Sequence, residues 1–336
     1  MLDPCSDPEP AGWEEFRLAE GLSAIWAYDV IAASSLGSWA RPLLAVFRDG
    51  GRVVGVAGAV YVGLRSARTA RPARPRREPI VLDVRLPGHS NGPTWHFSDE
   101  VAPETRRRLM REFERAARRQ LGWGLAGVLY RMVTEPRLPE IARRGAISRG
   151  SPGTAVMPLR WASVDGWLAS LGKGRRTSLR GQSRKIAAAP DLEVREGRAR
   201  HDLDPEELAE LNRRHGERLA ARLDPRAPLP AAYFAALIRR QDVSVVSYHE
   251  GARLLAFALV YEHPDAPAYG PWAALRPDEG GRKDLYFDSY VRVVRRAVEH
   301  GGKRLFAGRG QAEVKRTLGF EPVPMHVVAV PRWSMG

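Results

Sequence analysis

The stretch LYFDSYVRVVRRAVEHGGKRLFAGRGQAEVKRTLGF, residues 285–320, decides how this chain is read. Phe287, Val291, Val294 and Val298 recur at i, i+4, i+7 and i+11, the spacing of one buried helical face, and leave Arg292, Arg295, Arg296 and Glu299 for water. Gly301 and Gly302 end that helix. A short strand, a second helix carrying Lys315 and a Gly-Phe exit follow, an α/β pattern rather than an all-helical one.

Outward from this stretch, the totals describe a globular chain. Its 336 residues suggest two or three domains, and 44% hydrophobic content supplies a sizeable core. No run of eighteen apolar residues is present, and the amino terminus, MLDPCSDPEPAGWEE, is acidic and proline-containing where a signal peptide is basic and then apolar. The expectation is a cytoplasmic protein with no integral membrane insertion. Cys5 is the single cysteine, which excludes an intramolecular disulfide and a cysteine metal cluster; the histidines form no HxxxH or HxH pair, so no metal is expected. No Walker sequence is present, which argues against P-loop chemistry, and the string Gly88-His89-Ser90-Asn91-Gly92 has GxSxG spacing but lies in a Gly/Pro/Asn-rich turn with no helix predicted directly after it, unlike the strand-to-helix elbow of a hydrolase. Lys and Arg number 53 against 39 Asp and Glu, a net charge of +14, and this excess favours a polyanionic partner.

In chain order, residues 1–12 read as a flexible tail. Two β-rich runs in 42–63 flank Asp49-Gly50-Gly51, a strong hairpin signal. Residues 65–78 are rich in arginine and proline and read as a mobile loop. A strand at 80–86, a helix at 103–121, a strand at 125–133, a short helix at 136–144 and a strand at 154–161 follow. The second half opens with a helix-prone run at 164–189, then a strand at 192–198 and helices at 204–221 and 230–240. A second hairpin turns at residues 249–251, a strand covers 268–275, and 327–330 form the last strand. Each half therefore runs hairpin, strand, helix, strand, helix, strand, a repeat of element order. It predicts two similar α/β domains, 13–162 and 163–336.

Three pieces of the second half carry a resemblance: the basic segment 167–185, the helix 286–301 with its leading tyrosine, and GRGQAEVKRTLGF at 308–320. In these the chain resembles the tandem GNAT-fold N-acyltransferases of the Fem and FemAB-like family, which take aminoacyl groups from tRNA in cell-wall or natural-product biosynthesis. The resemblance implies two tandem GNAT-like domains, each a mixed, mostly antiparallel sheet flanked by helices, with the second catalytic. It implies that Lys315 steadies charge near the acyl donor. Asp288 and Tyr286 are the accompanying catalytic candidates, with Tyr269 and His263 as further candidate bases. Arg282, Lys283 and Arg309 are the donor or phosphate-binding candidates.

The turn at 276–282, RPDEGGR, stands where the family's coenzyme A loop would be, with its glycines out of register and Asp278 and Glu279 where pyrophosphate would lie. The resemblance therefore points to aminoacyl-tRNA as co-substrate, with no tightly bound cofactor; a coenzyme A thioester or an acidic carrier protein is the alternative donor. The acceptor would be an amine of a small molecule or a peptide-like intermediate. A catalytically silent nucleic-acid-binding protein on the same fold is the reading from a different class. Arg176, Arg180 and Arg184 stand at i, i+4 and i+8, with Lys173 before them and Lys185 after, so a helix there presents a basic stripe to RNA phosphates.

Overall fold

The computed structural model describes residues 1–36, 40–63, 78–87, 92–219 and 228–336. The expected loop at 65–78 lies, except for Glu78, outside them. The chain divides into two compact units, one formed by Met1–Gly153 with Pro324–Gly336 and the other by Thr154–Val323.

In the first unit, helices α1 (Trp13–Ala19) and α2 (Tyr28–Ser35) precede the hairpin of β1 (Arg41–Asp49) and β2 (Arg52–Gly63). Its two-residue turn, Gly50 at φ 54° and Gly51 at φ 87°, uses the left-handed backbone that matches strand twist. β3 (Ile80–Val84) pairs antiparallel with β2 and parallel with β5 (Leu125–Val133); helix α3 (Pro103–Leu121) makes the crossover. A short strand unforeseen in the sequence, β4 (Trp95–Phe97), also pairs with β2. Met110, Phe113, Ala117 and Leu121 of α3 are buried with Leu82, Val128 and Tyr130. Glu114 on the same helix is buried too, and it is satisfied because it accepts from the Tyr130 hydroxyl at 2.6 Å and from Arg143 at 2.8 Å. A short helix, α4 (Leu138–Ile141), leads to β6 (Ile147–Pro158).

In the second unit, the run expected as one helix breaks into α5 (Val164–Ser170) and α6 (Lys173–Ala187), because Leu171 turns extended to reach the core before Gly172 starts the next helix. Then come β7 (Glu193–Arg198), α7 (Pro205–Leu219) and α8 (Ala231–Ile238). The hairpin of β8 (Val243–Glu250) and β9 (Arg253–Tyr261) is followed by β10 (Ala268–Ala274), α9 (Leu285–Glu299), β11 (Arg304–Phe306), α10 (Ala312–Thr317) and β12 (Glu321–Pro331). The sheet of this unit runs β6-β11-β10-β9-β8-β7.

Both units thus contain a hairpin, a strand, a crossover helix and a parallel strand, as the repeat of element order predicts. The expected boundaries need two corrections. The end of β6 pairs with β11, Met157 opposite Leu305, and so belongs to the second unit. Val328 and Val330 of β12 pair with β5 and lie in the first unit's core, so the carboxyl-terminal strand serves the first unit, not the domain 163–336. Residues 1–12 are not a free tail either. Leu2 and Leu44 exchange backbone hydrogen bonds of 2.8 Å, and the Tyr28 hydroxyl donates to the Asp7 carbonyl at 2.8 Å.

Candidate active site

The second unit is opened by a divergence between two parallel strands. β10 and β11 share one register pair, Ala268 with Phe306. Beyond it β10 stays with β9, Trp272 opposite Ala258, while the chain after Phe306 turns to β6, with Ala307 N–H donating to Ala155 at 2.8 Å and Ala155 N–H to Gly308 at 3.0 Å. A bulge at Gly270-Pro271 bends β10 at this point, where proline has no N–H for the ladder.

Lys315 is at the β11 side of this opening. It is 4% exposed, and its Nζ donates to the carbonyls of Ala307 and of Gly308, the latter at 3.3 Å. No carboxylate pairs with it among the described residues. Burial lowers its pKa from the ordinary 10.5 to about 8, because the charged form loses hydration without gaining a counter-ion. An ammonium has three donors and two are used on carbonyls, which leaves one for a third acceptor.

The β10 and α9 side of the second unit carries a cluster of aromatic side chains. Tyr269 and Tyr290 stack at 4.6 Å, Tyr290 meets Phe320 edge-on at 5.6 Å, and Tyr286 meets Trp272 at 5.4 Å. The Tyr269 hydroxyl is 2.7 Å from that of Ser289. Burial raises the pKa of Tyr286 and drives that of Tyr269 and Tyr290 well up, so these phenols keep their protons at neutral pH and act as donors. Tyr286 and Tyr290 are an i, i+4 pair, the one sequence signal that could have revealed Tyr290. Trp272, Tyr248 and Ser289 had none.

The remaining candidates are placed as follows. Asp288 is 2% exposed and accepts from Arg292 Nε at 2.6 Å and from the Tyr248 hydroxyl at 3.0 Å; Arg292 continues to Glu196. Its lone pairs serve an internal network, unlike those of a base awaiting a proton. His263 accepts the N–H groups of Asp265 and Ala266 on Nδ1, both at 3.0 Å, and so shapes its own turn. Arg309 is half-buried between β11 and α10.

The loop before α9 folds on itself. Gly281 N–H donates to the Arg276 carbonyl at 2.6 Å, and a side chain at Gly281 would collide with the Leu275 carbonyl. Arg282 is paired with Asp191 and Glu250, while Lys283 is exposed. Asp284, at φ 72°, occupies the cap position of α9 and accepts from Gln182 at 3.0 Å. The enclosed Gln182 Oε1 and Ser183 Oγ beside it have no partner.

Helix α6 buries Leu179 and Ile186 and turns its basic residues outward. Lys173, Arg180, Arg184 and Lys185 are exposed and Arg176 is half-exposed; Arg180 has one loose ion pair, with Asp165 at 3.6 Å, and Arg176 donates to the Ala169 carbonyl at 3.1 Å. The stripe and Lys315 therefore belong to one unit. Arg175 reaches from the same helix over the Phe287 ring at 4.8 Å, fixing α6 against α9.

Residues 173–316 match the family model described as an acetyltransferase (GNAT) domain. No curated protein matches the sequence. Among solved structures, L-PGS from Bacillus licheniformis superposes with a TM-score of 0.59 at 12% identity, over 97% of this chain and 93% of that one. FemX superposes with a TM-score of 0.57 at 13% identity, over 91% of each chain. At such identity the likeness speaks for the fold. No helix among the described residues is long and apolar enough to cross a membrane. With the crossover repeated in both units, the chain has a tandem GNAT-like fold similar to those of FemX and L-PGS, and the acetyltransferase (GNAT) domain match at 173–316 spans the opening and Lys315.

Proposed function

We propose that the second unit moves an aminoacyl group from aminoacyl-tRNA to an amine of a small-molecule or peptide-like acceptor. The observation that carries this reading is Lys315, a buried cation without a counter-ion at the divergence of β10 and β11. The acceptor nitrogen attacks the ester carbonyl, a C–N bond forms, and the bond to the ribose oxygen breaks. The proton lost by the amine passes to solvent, and the departing ribose oxygen takes one up. The third donor of Lys315 faces the charge that develops on the carbonyl or ribose oxygen, a contact of about 2.7–4 kcal/mol when an oxyanion donor is removed from other enzymes.

Tyr286 serves in this reading as a hydrogen-bond donor on the wall of the site, and Asp288 as the anchor that holds Tyr248 and Arg292. Lys173, Arg176, Arg180, Arg184 and Lys185 bind RNA phosphates, with Lys283 and Arg309 nearer the donor end. Arg282, tied to two carboxylates, and the self-filled loop at 276–284 support a donor other than coenzyme A.

The test is incubation with radiolabelled aminoacyl-tRNA pools and, separately, with acetyl-coenzyme A. Loss of label from tRNA that depends on added amine is expected. Tight coenzyme A binding with indifference to charged tRNA at low salt would replace this reading with a coenzyme A-dependent one.

A further inference from the structure

Helix α3 of the first unit carries seven arginines and three glutamates in PETRRRLMREFERAARRQL. Two of the arginines are spent inside the unit, since Arg106 donates to the Val101 and Ser98 carbonyls and Arg107 to that of Pro139. Glu114 is buried. The other five, Arg108, Arg111, Arg115, Arg118 and Arg119, are exposed and have no side-chain hydrogen bond or ion pair among the described residues. Glu112 is exposed on the same side and pairs with none of them. Elsewhere on the surface Arg213, Arg214, Arg195 and Arg316 are matched with carboxylates.

The line ends on an aromatic platform. Trp123, just past α3, is 91% exposed. Arg332 lies over one face of its ring at 5.0 Å and is clamped there by the carbonyls of Gly122 and Leu125 at 2.8 and 2.9 Å. Trp333, 76% exposed, sits against Gly145 in the same unit.

We infer that the outer face of α3 with Trp123 is a second RNA-binding surface, in which the arginines follow the phosphates of one strand and the free face of Trp123 stacks on an unpaired base. Steps of three or four residues place the guanidinium stems about 4.5–6 Å apart along a single line, a spacing suited to successive backbone phosphates. An indole backed by a fixed cation is a stacking platform for any base. An anionic bilayer is the less suited polyanion. The large apolar side chains Met110, Phe113 and Leu121 of α3 are buried in the core and Leu109 packs against it, and the guanidinium over Trp123 hinders burial of that ring in hydrocarbon. The choice of RNA rests on the aminoacyl-tRNA reading above; the surface itself is a separate feature on the other unit.

The test is fluorescence anisotropy of a fluorescein-labelled RNA hairpin with a single-stranded 3′ end, titrated across NaCl concentrations. It compares the full chain, Arg108→Ala/Arg115→Ala/Arg118→Ala/Arg119→Ala, Trp123→Ala, and Arg176→Ala/Arg180→Ala/Arg184→Ala. The quadruple variant is expected to flatten the log–log salt slope by about 3–4, at roughly 0.9 per phosphate contact. Trp123→Ala should weaken binding about tenfold with the slope unchanged. All the changed side chains are exposed or half-exposed, and near-UV circular dichroism verifies folding. If only the α6 variant lost RNA, the α3 surface would be refuted and the aminoacyl-tRNA reading kept. Wild-type chain that ignored RNA would overturn both. Retained RNA binding together with lost binding to phosphatidylglycerol vesicles would assign α3 to a membrane instead.

Discussion

Replacing Lys315 by Met gives the most direct test of the site, because the amine titrates within a convenient range. With a pKa of about 8, the group is roughly nine-tenths protonated at pH 7 and one-tenth at pH 9. If the cation stabilises the transition state, the ratio of wild-type to Lys315→Met turnover should be about 10²–10³ below pH 7 and fall about tenfold between pH 7 and 9. Ionisation of the acceptor amine affects both enzymes and cancels in that ratio.

The sign for stability is opposite to that of an ion pair. A lysine whose folded pKa lies below its unfolded value opposes folding when charged. Its penalty, about 3 kcal/mol for the shift from 10.5 to about 8, is fully present below pH 8 and fades as pH rises toward 10.5. Lys315→Met removes that penalty but leaves the Ala307 and Gly308 carbonyls short of a donor, about 1–3 kcal/mol in the other direction. The variant should therefore stay folded, with urea unfolding changed by no more than about 2 kcal/mol. Turnover is measured by release of label from aminoacyl-tRNA between pH 6 and 10. A ratio that is constant with pH, or that rises above pH 8, would refute the role of the cation; the rise would make the neutral amine the working form.

Three other outcomes are expected. Arg176→Ala/Arg180→Ala/Arg184→Ala should reduce the salt slope of RNA binding by about 2.7, and an unchanged slope would make the stripe only a solvated face. Asp288→Asn should cost about 3–5 kcal/mol in urea unfolding at pH 7, as expected when one partner of a buried ion pair is lost, and a cost below about 0.5 kcal/mol would show that the Arg292 and Tyr248 contacts contribute little. Millimolar acetyl-coenzyme A should leave the thermal midpoint unmoved, whereas a rise of several degrees, checked by calorimetry, would show that the loop at 276–284 opens to accept it.

The sequence by itself determined most of the elements and the order in which they repeat. Asp49-Gly50-Gly51 demanded a hairpin, the Phe287, Val291 and Val294 spacing demanded an amphipathic helix, and Gly301 ended it, all through interactions local to a few residues. The same periodicity placed the basic residues of α6 on one face. Lys315 was legible through its motif, although nothing local says that its amine is buried on two carbonyls.

The tertiary structure decided what depends on distant partners. A strand carries no mark of its neighbour, so the chain could not tell that β12 completes the first sheet or that β6 ends in the second. Asp288 reads as a free carboxylate until Tyr248, forty residues away, and Arg292 are seen to occupy it. The arginines of α3 read like any charged helix face until the structure shows which are spent on carbonyls and which have no side-chain partner among the described residues. Pairing and burial are properties of the folded neighbourhood, and only the fold reveals them.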